Sequence, residues 1–165
     1  MKSEVGKGTE FAIWLPAAPL TPSASPRKAV TAGIEKGKQV LFMDDEEPIL
    51  KMAERLMARL GLQFESALDC RRAIERFRAA KDAGAPFDLV VMDLTIPGGM
   101  GGKEAISVLL QIDPGVRAIV SSGYSGDLTM ADFRKHGFRG MVAKPYDIAE
   151  LASVIRAVLS EETAP

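Results

Sequence analysis

The sequence of 165 residues is poor in several features that would point to particular classes of protein. It has one cysteine, Cys70, which excludes an intrachain disulfide and is typical of a reducing compartment. No apolar run reaches the roughly 18 residues that a membrane helix needs, and the N-terminus lacks the apolar stretch of a signal peptide. The net charge is −1, so no overall basic field favours nucleic acid. We therefore expect a cytoplasmic chain that contacts neither membrane nor nucleic acid.

Residues 17–37, "AAPLTPSASPRKAVTAGIEKG", hold three prolines and many small residues. Such a stretch has too few large apolar groups to offset the entropy lost on ordering, which is typical of a flexible linker. We expect it to separate a short N-terminal segment, 1–16, from one domain at 38–160. Residues 161–165 would form a tail.

From Lys38 onward, short apolar runs alternate with segments that have helical spacing of apolar residues. "FDLVVMD" is apolar almost throughout, as expected of a strand buried on both faces. Asp69 and Asp147 are suited to cap helices. The pattern predicts strands at 39–43, 62–68, 87–93, 116–122 and 138–143, and helices at 47–60, 69–83, 101–112, 127–136 and 147–160. Strand–helix pairs in succession predict an α/β fold with a five-stranded, parallel, doubly wound sheet.

Polar side chains follow four of these strands, and in parallel sheets sites form beyond the carboxyl ends of the strands. The sequence therefore predicts that three carboxylates, a hydroxyl and an ammonium converge at one edge; the residues are Asp44, Asp45, Asp93, Ser121 or Ser122, and Lys144. Clustered carboxylates repel one another, and their hard oxygens suit Mg²⁺. A lysine can hold a phosphoryl group, a serine can donate to it, and an aspartate can form an acyl phosphate.

The motifs "VLFMDDEEPI", "DLVVMDLTIPGGMGG", "AIVSSGYS" and "MVAKPYDIAEL" strongly resemble the receiver domain of two-component response regulators. The resemblance implies a flavodoxin-like fold with strand order 2-1-3-4-5 over about residues 38–160. It implies that Asp93 is the phosphoacceptor and that Asp45 and Asp93 bind Mg²⁺. Asp44 would assist through water or outer contacts, and the backbone carbonyl of Thr95 would complete the metal site.

The same resemblance assigns Lys144 to the phosphoryl group and implies a cis bond between Lys144 and Pro145. Ser122, directly before Gly123, fits the hydroxyl position better than Ser121. One departure is Met141, because the family often has an aromatic residue at this position, three residues before the lysine. An aromatic side chain that rotates there on phosphorylation is therefore absent.

Residues 3–16, "SEVGKGTEFAIWLP", resemble the end of the ATP-binding domain of sensor histidine kinases, where a G-x-G-T turn feeds a last strand. The resemblance implies that the chain is the C-terminal part of a hybrid histidine kinase. This segment lacks the other nucleotide-binding motifs, so it would not bind ATP by itself. We expect a disordered tail or an extra strand on a sheet edge.

The leading hypothesis is a phosphorelay receiver that takes a phosphoryl group from a kinase phosphohistidine and passes it on or regulates its kinase. Such a receiver dephosphorylates itself rather than turning over substrate, although its parent chain would be a protein-histidine kinase. Expected partners are the kinase phosphohistidine domain, a histidine phosphotransfer protein and a weak homodimer through 127–160. Two alternatives stay open. A metal-dependent phosphohydrolase would need a second acid that "DLT" at 93–95 lacks, and a docking module would not accept phosphate.

Overall fold

The computed structural model describes residues 2–12, 14, 34–93, 102–123 and 132–161, with Ser122 described by its backbone only. The strands are β1 (Lys2–Glu4), β2 (Gly8–Glu10), β3 (Gln39–Met43), β4 (Gln63–Ala67), β5 (Leu89–Asp93), β6 (Ala118–Ser122) and β7 (Gly140–Ala143). The α-helices are α1 (Glu47–Leu60), α2 (Cys70–Asp82), α3 (Gly102–Ile112) and α4 (Ile148–Ser160). A 3₁₀-helix spans Phe133–His136.

Strands β3 to β7 form one parallel sheet in the order β4-β3-β5-β6-β7. This is the order 2-1-3-4-5 for the strands of the domain, so the predicted fold is confirmed. All residues of the central strand β5, "LVVMD", are buried, because the strand has neighbours on both sides and helices on both faces. The carboxyl ends of β3, β5, β6 and β7 therefore meet at one edge of the sheet.

Alternate residues of each strand supply two hydrophobic cores, one on each face of the sheet. On β3, Val40 and Phe42 belong to the core under α1 and α4, whereas Leu41 and Met43 belong to the core under α2 and α3. Helix residues fill both cores, with Leu56, Leu151 and Ile155 on the first face and Phe77, Ile106 and Leu109 on the second. The two-sided pattern explains why β3 and β5, in the interior of the sheet, are almost continuously apolar.

Side-chain caps begin the helices where the sequence predicts them. Asp69 Oδ1 accepts a hydrogen bond of 2.8 Å from the backbone N–H of Arg72 at the start of α2. Asp147 Oδ1 accepts bonds of 2.7 and 3.0 Å from the N–H groups of Ala149 and Glu150 at the start of α4. Gly61 ends α1 in the left-handed conformation, with φ of 75°. These three predicted caps are confirmed.

Helix α4 packs closely on β7 because Gly140 has no side chain. A Cβ at this position would lie 2.8 Å from Val154 Cγ1, 2.9 Å from Val158 Cγ2 and 3.2 Å from Ile119 Cγ1. These distances are shorter than ordinary van der Waals contact. The strand and the helix can approach this closely only with glycine at this place.

The predicted helix at 127–136 is partly wrong in type. Residues 127–131 lie outside the described residues, and Phe133–His136 form a 3₁₀-helix that ends at Gly137 with φ of 93°. Hydrogen bonds of i→i+3 type close its turns, with Lys135 N–H donating to the Asp132 carbonyl at 3.0 Å. Phe133 is the buried residue of this short element. Within the described part of 127–136, a single buried anchor is typical of a short turn rather than of a longer amphipathic helix.

The N-terminal segment is also different from the prediction. The strand expected after the glycines begins earlier, and β1 and β2 form an antiparallel hairpin with its own two-stranded sheet. Phe11 and Trp14 lie outside both strands and are 71% and 92% exposed. The structure gives these two side chains no apolar surface to cover, and Ile13 and Leu15 of the same alternation lie outside the described residues. Docking on an edge of the five-stranded sheet is not seen in the described part of this segment.

The predicted linker falls largely outside the described residues, which resume at Ile34, and so do residues 162–165 of the predicted tail. The start of the domain is fixed by Asp88, whose carboxylate accepts the backbone N–H of Gln39 at 2.8 Å and pairs with Lys38 Nζ at 3.1 Å. In the ranges that the structure describes, no helix combines the length and the apolar character that crossing a membrane requires.

Candidate functional site

Three carboxylates meet at the carboxyl edge of the sheet. Asp44 follows β3, Asp93 is the last residue of β5, and Asp45 lies next to Asp44. One oxygen from each of the three carboxylates lies within 4.8 Å of the others. Asp44 and Asp93 are buried, at 0% and 2% exposed, whereas Asp45 is exposed. The cluster therefore has two buried carboxylates and one that faces solvent.

Lys144, directly after β7, places its ammonium among these carboxylates. Its Nζ lies 2.7 Å from Asp93 Oδ2, 2.8 Å from Asp44 Oδ2 and 3.6 Å from Glu46 Oε1. Burial by itself would lower the pKa of Lys144, but the contacts with Asp44 and Asp93 outweigh burial and raise the pKa above its ordinary value. The lysine is therefore a fixed positive charge at neutral pH. The bond between Lys144 and Pro145 is cis, as expected.

Asp44 has the most restricted environment of the three acids. Burial raises the pKa of its carboxyl, and the contacts with Lys144 and with the backbone N–H of Glu46 offset part of that rise. Its Oδ1 accepts the N–H of Glu46 at 2.9 Å. Its Oδ2 faces Lys144 as an ion pair, but within the described residues this buried oxygen has no partner with hydrogen-bond geometry. One buried oxygen thus remains able to accept a further ligand.

The donor set fits a small divalent cation. Carboxylate oxygens are hard ligands, and the three at this edge lie close enough to share one ion or its bound water. Three carboxylates against the single ammonium of Lys144 leave excess negative charge, and Asp44 Oδ2 lacks a hydrogen bond. Asp44, Asp45 and Asp93 are the residues that would surround such an ion.

The two serines at the end of β6 have different positions. Ser121 stands opposite Asp93 in the sheet register and is fully buried, and its Oγ shares a hydrogen bond of 2.6 Å with the hydroxyl of Tyr146. Ser122 stands opposite Ala143, beside the strand end that carries Lys144. The Ser121 hydroxyl is thus engaged away from the carboxylates, and the role predicted for Ser122 stays a prediction.

Tyr146 is the residue at this edge that the sequence interpretation did not select. Its ring centre lies 5.8 Å from Lys144 Nζ and 6.2 Å from the ring centre of Phe42, with the two rings at 73°. Burial raises the pKa of its hydroxyl above the ordinary value. The signal available in the sequence was its position two residues after Lys144. The sequence does not reveal that its hydroxyl bonds to Ser121, 25 positions earlier in the chain.

The remaining predicted positions vary in how far the structure describes them. Thr95 and most of the "PGGMGG" segment lie outside the described residues, so the predicted carbonyl ligand stays a prediction. Met141 is half-buried and packs against the core under α2 and α3. Cys70 is buried beneath the same face, and burial raises the pKa of its thiol. The structure therefore brings together Asp44, Asp45, Asp93 and Lys144.

Comparisons with known proteins agree with this geometry. The family described as the response regulator receiver domain matches residues 40–156. Sensor kinase CckA of Brucella abortus is 27% identical over 168 residues, which are 97% of this chain and 17% of that protein. Chemotaxis protein CheY of Thermotoga maritima is 28% identical over 123 residues, which are 74% of this chain and 98% of that protein.

A solved structure shows the same fold. The CheY-like receiver domain protein from Methanospirillum hungatei aligns with a TM-score of 0.65 and 22% identity, covering 75% of this chain and 94% of that one. The chain spans 17% of the length of the sensor kinase but nearly all of the chemotaxis protein. The region matched by the family contains all of the five-stranded sheet except Gln39, together with its edge of carboxylates. The chain therefore belongs to the response regulator receiver domain family of two-component signalling proteins.

Proposed function

We propose that Asp93 of this chain accepts a phosphoryl group from a phosphohistidine of a histidine kinase. The observation that carries the proposal is the setting of the Asp93 carboxylate at the sheet edge. Lys144 Nζ lies 2.7 Å from its Oδ2, and oxygens of Asp44 and Asp45 lie within 4.8 Å. The edge thus combines a carboxylate nucleophile, a fixed cation and ligands for a metal ion.

In the transfer, an Asp93 oxygen forms a P–O bond while the P–N bond of the phosphohistidine breaks. The electron pair of the broken bond stays on the ring nitrogen, and neutral histidine leaves when its other nitrogen carries a proton. Lys144 holds the phosphoryl oxygens as a point charge. Its raised pKa keeps the ammonium charged throughout the physiological range.

Mg²⁺ is the cation that we assign to the carboxylates, with Asp45 and Asp93 as direct ligands. Asp44 would contact the ion through bound water, and the carbonyl of Thr95 would complete the ligand set. Mg²⁺ would neutralise charge on the transferring group and align it. The proposal is supported by three hard oxygen donors within 4.8 Å and by the excess of carboxylates over ammonium groups.

Ser122 is the hydroxyl that we assign to the phosphoryl group, as a donor to one of its oxygens. The Ser121 hydroxyl is already bound to Tyr146 and is fully buried. Ser122 ends β6 in register with Ala143, the residue before Lys144. These two facts favour Ser122 over its neighbour.

The chain is further proposed to be the receiver part of a cytoplasmic hybrid histidine kinase. The similarity to the sensor kinase covers 97% of this chain, whereas the similarity to the chemotaxis protein covers 74%. The sensor kinase therefore also aligns with residues before 38, which supports assigning 1–16 to the end of a kinase ATP-binding domain. The phosphohistidine donor would lie in the same parent chain, with a histidine phosphotransfer protein as a further partner. A linker at 17–37 would tether the receiver, and 127–160 would support weak dimerisation.

The test is the intact mass after incubation with acetyl phosphate, with and without Mg²⁺. Asp93→Asn removes the nucleophile with little change in size, and Asp88→Asn is the matched control, since Asp88 is a carboxylate at the other end of the sheet. We expect one added phosphoryl group in the wild type and in the control, dependent on Mg²⁺ and absent from Asp93→Asn. Hydroxylamine should remove the adduct, because it cleaves acyl phosphates.

Other outcomes would contradict the proposal in distinct ways. No adduct, together with no binding of beryllofluoride, would favour a docking module that does not accept phosphate. Steady release of phosphate from small esters over many turnovers would favour the phosphohydrolase. An adduct of the same size in Asp93→Asn would place the acceptor at another residue.

A further inference from the structure

Ser121 is a fully buried residue next to Asp93 in the sheet, and within the described residues its hydroxyl has one side-chain partner. In the register it lies between Asp93 on β5 and Val142 on β7. A buried hydroxyl without a hydrogen bond is costly, and Tyr146 supplies the bond at 2.6 Å. The bond joins the end of β6 to the turn between β7 and α4.

Tyr146 also contacts the ammonium that serves the site. Its ring centre lies 5.8 Å from Lys144 Nζ, within the range in which an aromatic face attracts a cation. On another side the ring meets Phe42 in an edge-to-face arrangement, with ring centres 6.2 Å apart. The tyrosine is therefore held by Ser121 and Phe42 while its ring lies beside the lysine.

Lys144 needs such restraint because its side chain is long and flexible. Its Nζ lies between Asp44 Oδ2 at 2.8 Å and Asp93 Oδ2 at 2.7 Å, and holding one conformation costs the side chain much rotational entropy. Nothing in the two contacts fixes the path of the four-carbon chain. A rigid ring with two rotatable bonds, anchored at its far end, limits that path at low entropic cost.

We propose that Tyr146 is a positioning residue for Lys144, acting through its hydrogen bond to Ser121 and the contact of its ring with the ammonium. The Ser121–Tyr146 bond fixes the turn after β7, and the ring keeps Nζ between Asp44 and Asp93. This inference rests on the proposed function for its effect on phosphoryl transfer. The placement of the ammonium itself can be measured without any transfer.

The experiment compares Tyr146→Phe, Ser121→Ala and the double variant with the wild type. Tyr146→Leu removes the ring as well as the hydroxyl. Ser160→Ala is the matched hydroxyl deletion, since Ser160 Oγ bonds the Arg156 carbonyl at 2.8 Å on α4, outside the candidate site. Val158→Ala, a change in the core at 2% exposure, controls for lower stability.

Two readouts are taken for each variant. The first is the exchange rate of the Lys144 ammonium protons by ¹H–¹⁵N spectroscopy without Mg²⁺, with the signal assigned by its absence from Lys144→Met. The second is the initial rate of phosphoryl uptake from acetyl phosphate with Mg²⁺. We expect Tyr146→Phe to raise the exchange rate and to slow uptake, each by about threefold to tenfold, the size expected of one neutral hydrogen bond. Ser121→Ala and the double variant should match Tyr146→Phe, and Tyr146→Leu should exceed it.

Several results would overturn the inference. The inference fails if Tyr146→Phe gives wild-type values for both readouts. It also fails if the effects of Tyr146→Phe and Ser121→Ala add fully in the double variant. A slower uptake that Val158→Ala reproduces at equal stability, with unchanged ammonium exchange, would reduce Tyr146 to a structural residue. Absence of a distinct Lys144 signal from the wild type would show that Nζ is not held. If the wild type took up no phosphoryl group, the proposed function would fail, and ammonium exchange would still decide the role of Tyr146.

Discussion

The carboxyl edge of the sheet buries Asp44, Asp93 and Ser121, whereas the contact between β7 and α4, a few residues along the chain, buries apolar groups around Gly140. Buried charge is costly to a fold, and buried apolar surface stabilises it. The burial of charged groups in the first region is therefore explained by the chemistry proposed for them. The burial of apolar groups in the second region is explained by the stability that it adds. The two regions should respond to substitution in opposite ways. Three predictions test that contrast, and a fourth, outside both regions, serves as a reference.

The largest effect on stability is expected from Leu151→Ala. Leu151 is 0% exposed in the core under α1 and α4, and removal of its side chain leaves a cavity. The free energy of unfolding should fall by about 2–5 kcal/mol. Urea unfolding measures this loss. Phosphoryl uptake at a temperature at which the variant stays folded should be unchanged, and a large fall in uptake would show that the core and the edge are not separable.

A smaller loss is expected from Gly140→Ala. The new Cβ would lie 2.8 Å from Val154 Cγ1 and 2.9 Å from Val158 Cγ2, so α4 must move away from β7. Overpacking of this kind should lower the free energy of unfolding by about 1–3 kcal/mol. Thermal unfolding measures it, and Gly140→Ala combined with Val158→Ala should recover part of the loss. If the single change were neutral, the contact would be looser than described.

At the carboxyl edge of the sheet, a substitution should raise the free energy of unfolding instead of lowering it. Asp44→Asn tests this expectation. Burial raises the pKa of Asp44 in the folded state, so the folded protein binds the proton more tightly than the unfolded chain. Keeping Asp44 ionised then costs stability above the unfolded pKa of about 3.9, and the cost grows as the pH rises to the folded pKa. We expect Asp44→Asn without Mg²⁺ to be more stable than the wild type at pH 7, because the neutral amide removes the cost of burying a charge.

The gain of Asp44→Asn should shrink as the pH is lowered from 7 towards 4, because the folded wild type then takes up a proton at Asp44 and no longer buries its charge. Urea unfolding between pH 4 and pH 7 measures the difference between the two proteins. A variant that is less stable than the wild type at pH 7 would show that the ion pair with Lys144 outweighs the cost of burial. The same variant should be phosphorylated more slowly, which is the opposite pattern to Leu151→Ala.

The smallest effect is expected in the N-terminal segment, just after the β1–β2 hairpin. Trp14 is 92% exposed, so Trp14→Ala should change the free energy of unfolding by less than about 0.5 kcal/mol. Phosphoryl uptake should also be unchanged. Calorimetry and intact mass check both statements. A marked loss of stability would mean that this tryptophan packs on the receiver domain in solution.

The sequence predicts the sheet well because a strand buried on both faces needs apolar residues at nearly every position, and such runs are visible in the sequence. Strand β5 is apolar at every position before Asp93, and Asp69 and Asp147 mark helix starts through hydrogen bonds that depend on neighbours in the chain. The alternation around Phe11 is a weaker guide, because Phe11 and Trp14 are exposed with no core behind them, and Ile13 and Leu15 lie outside the described residues. The helix at 127–136 was misjudged because Phe133 is its main buried group in the described part.

The convergence of the carboxylates and Lys144 was predictable, since it follows from strand order. The sequence does not predict which of the two adjacent acids is buried. Asp44 and Asp45 are the same residue type, and only the path of the chain after β3 separates them. The bond between Ser121 and Tyr146 joins two distant positions and depends on side-chain direction. Local pattern carries no information about such a pair.

The turn from Lys144 to Asp147 has a double attachment that bears on signalling. Lys144 contacts the carboxylates at one end of the turn, and Asp147 caps the first turn of α4 at the other. Helix α4 has 13 residues and is therefore about 20 Å long. If an incoming group displaced the ammonium, this turn would pass the displacement to the first turn of α4. A partner bound to α4 would then respond to the occupancy of the carboxylate edge without contacting it.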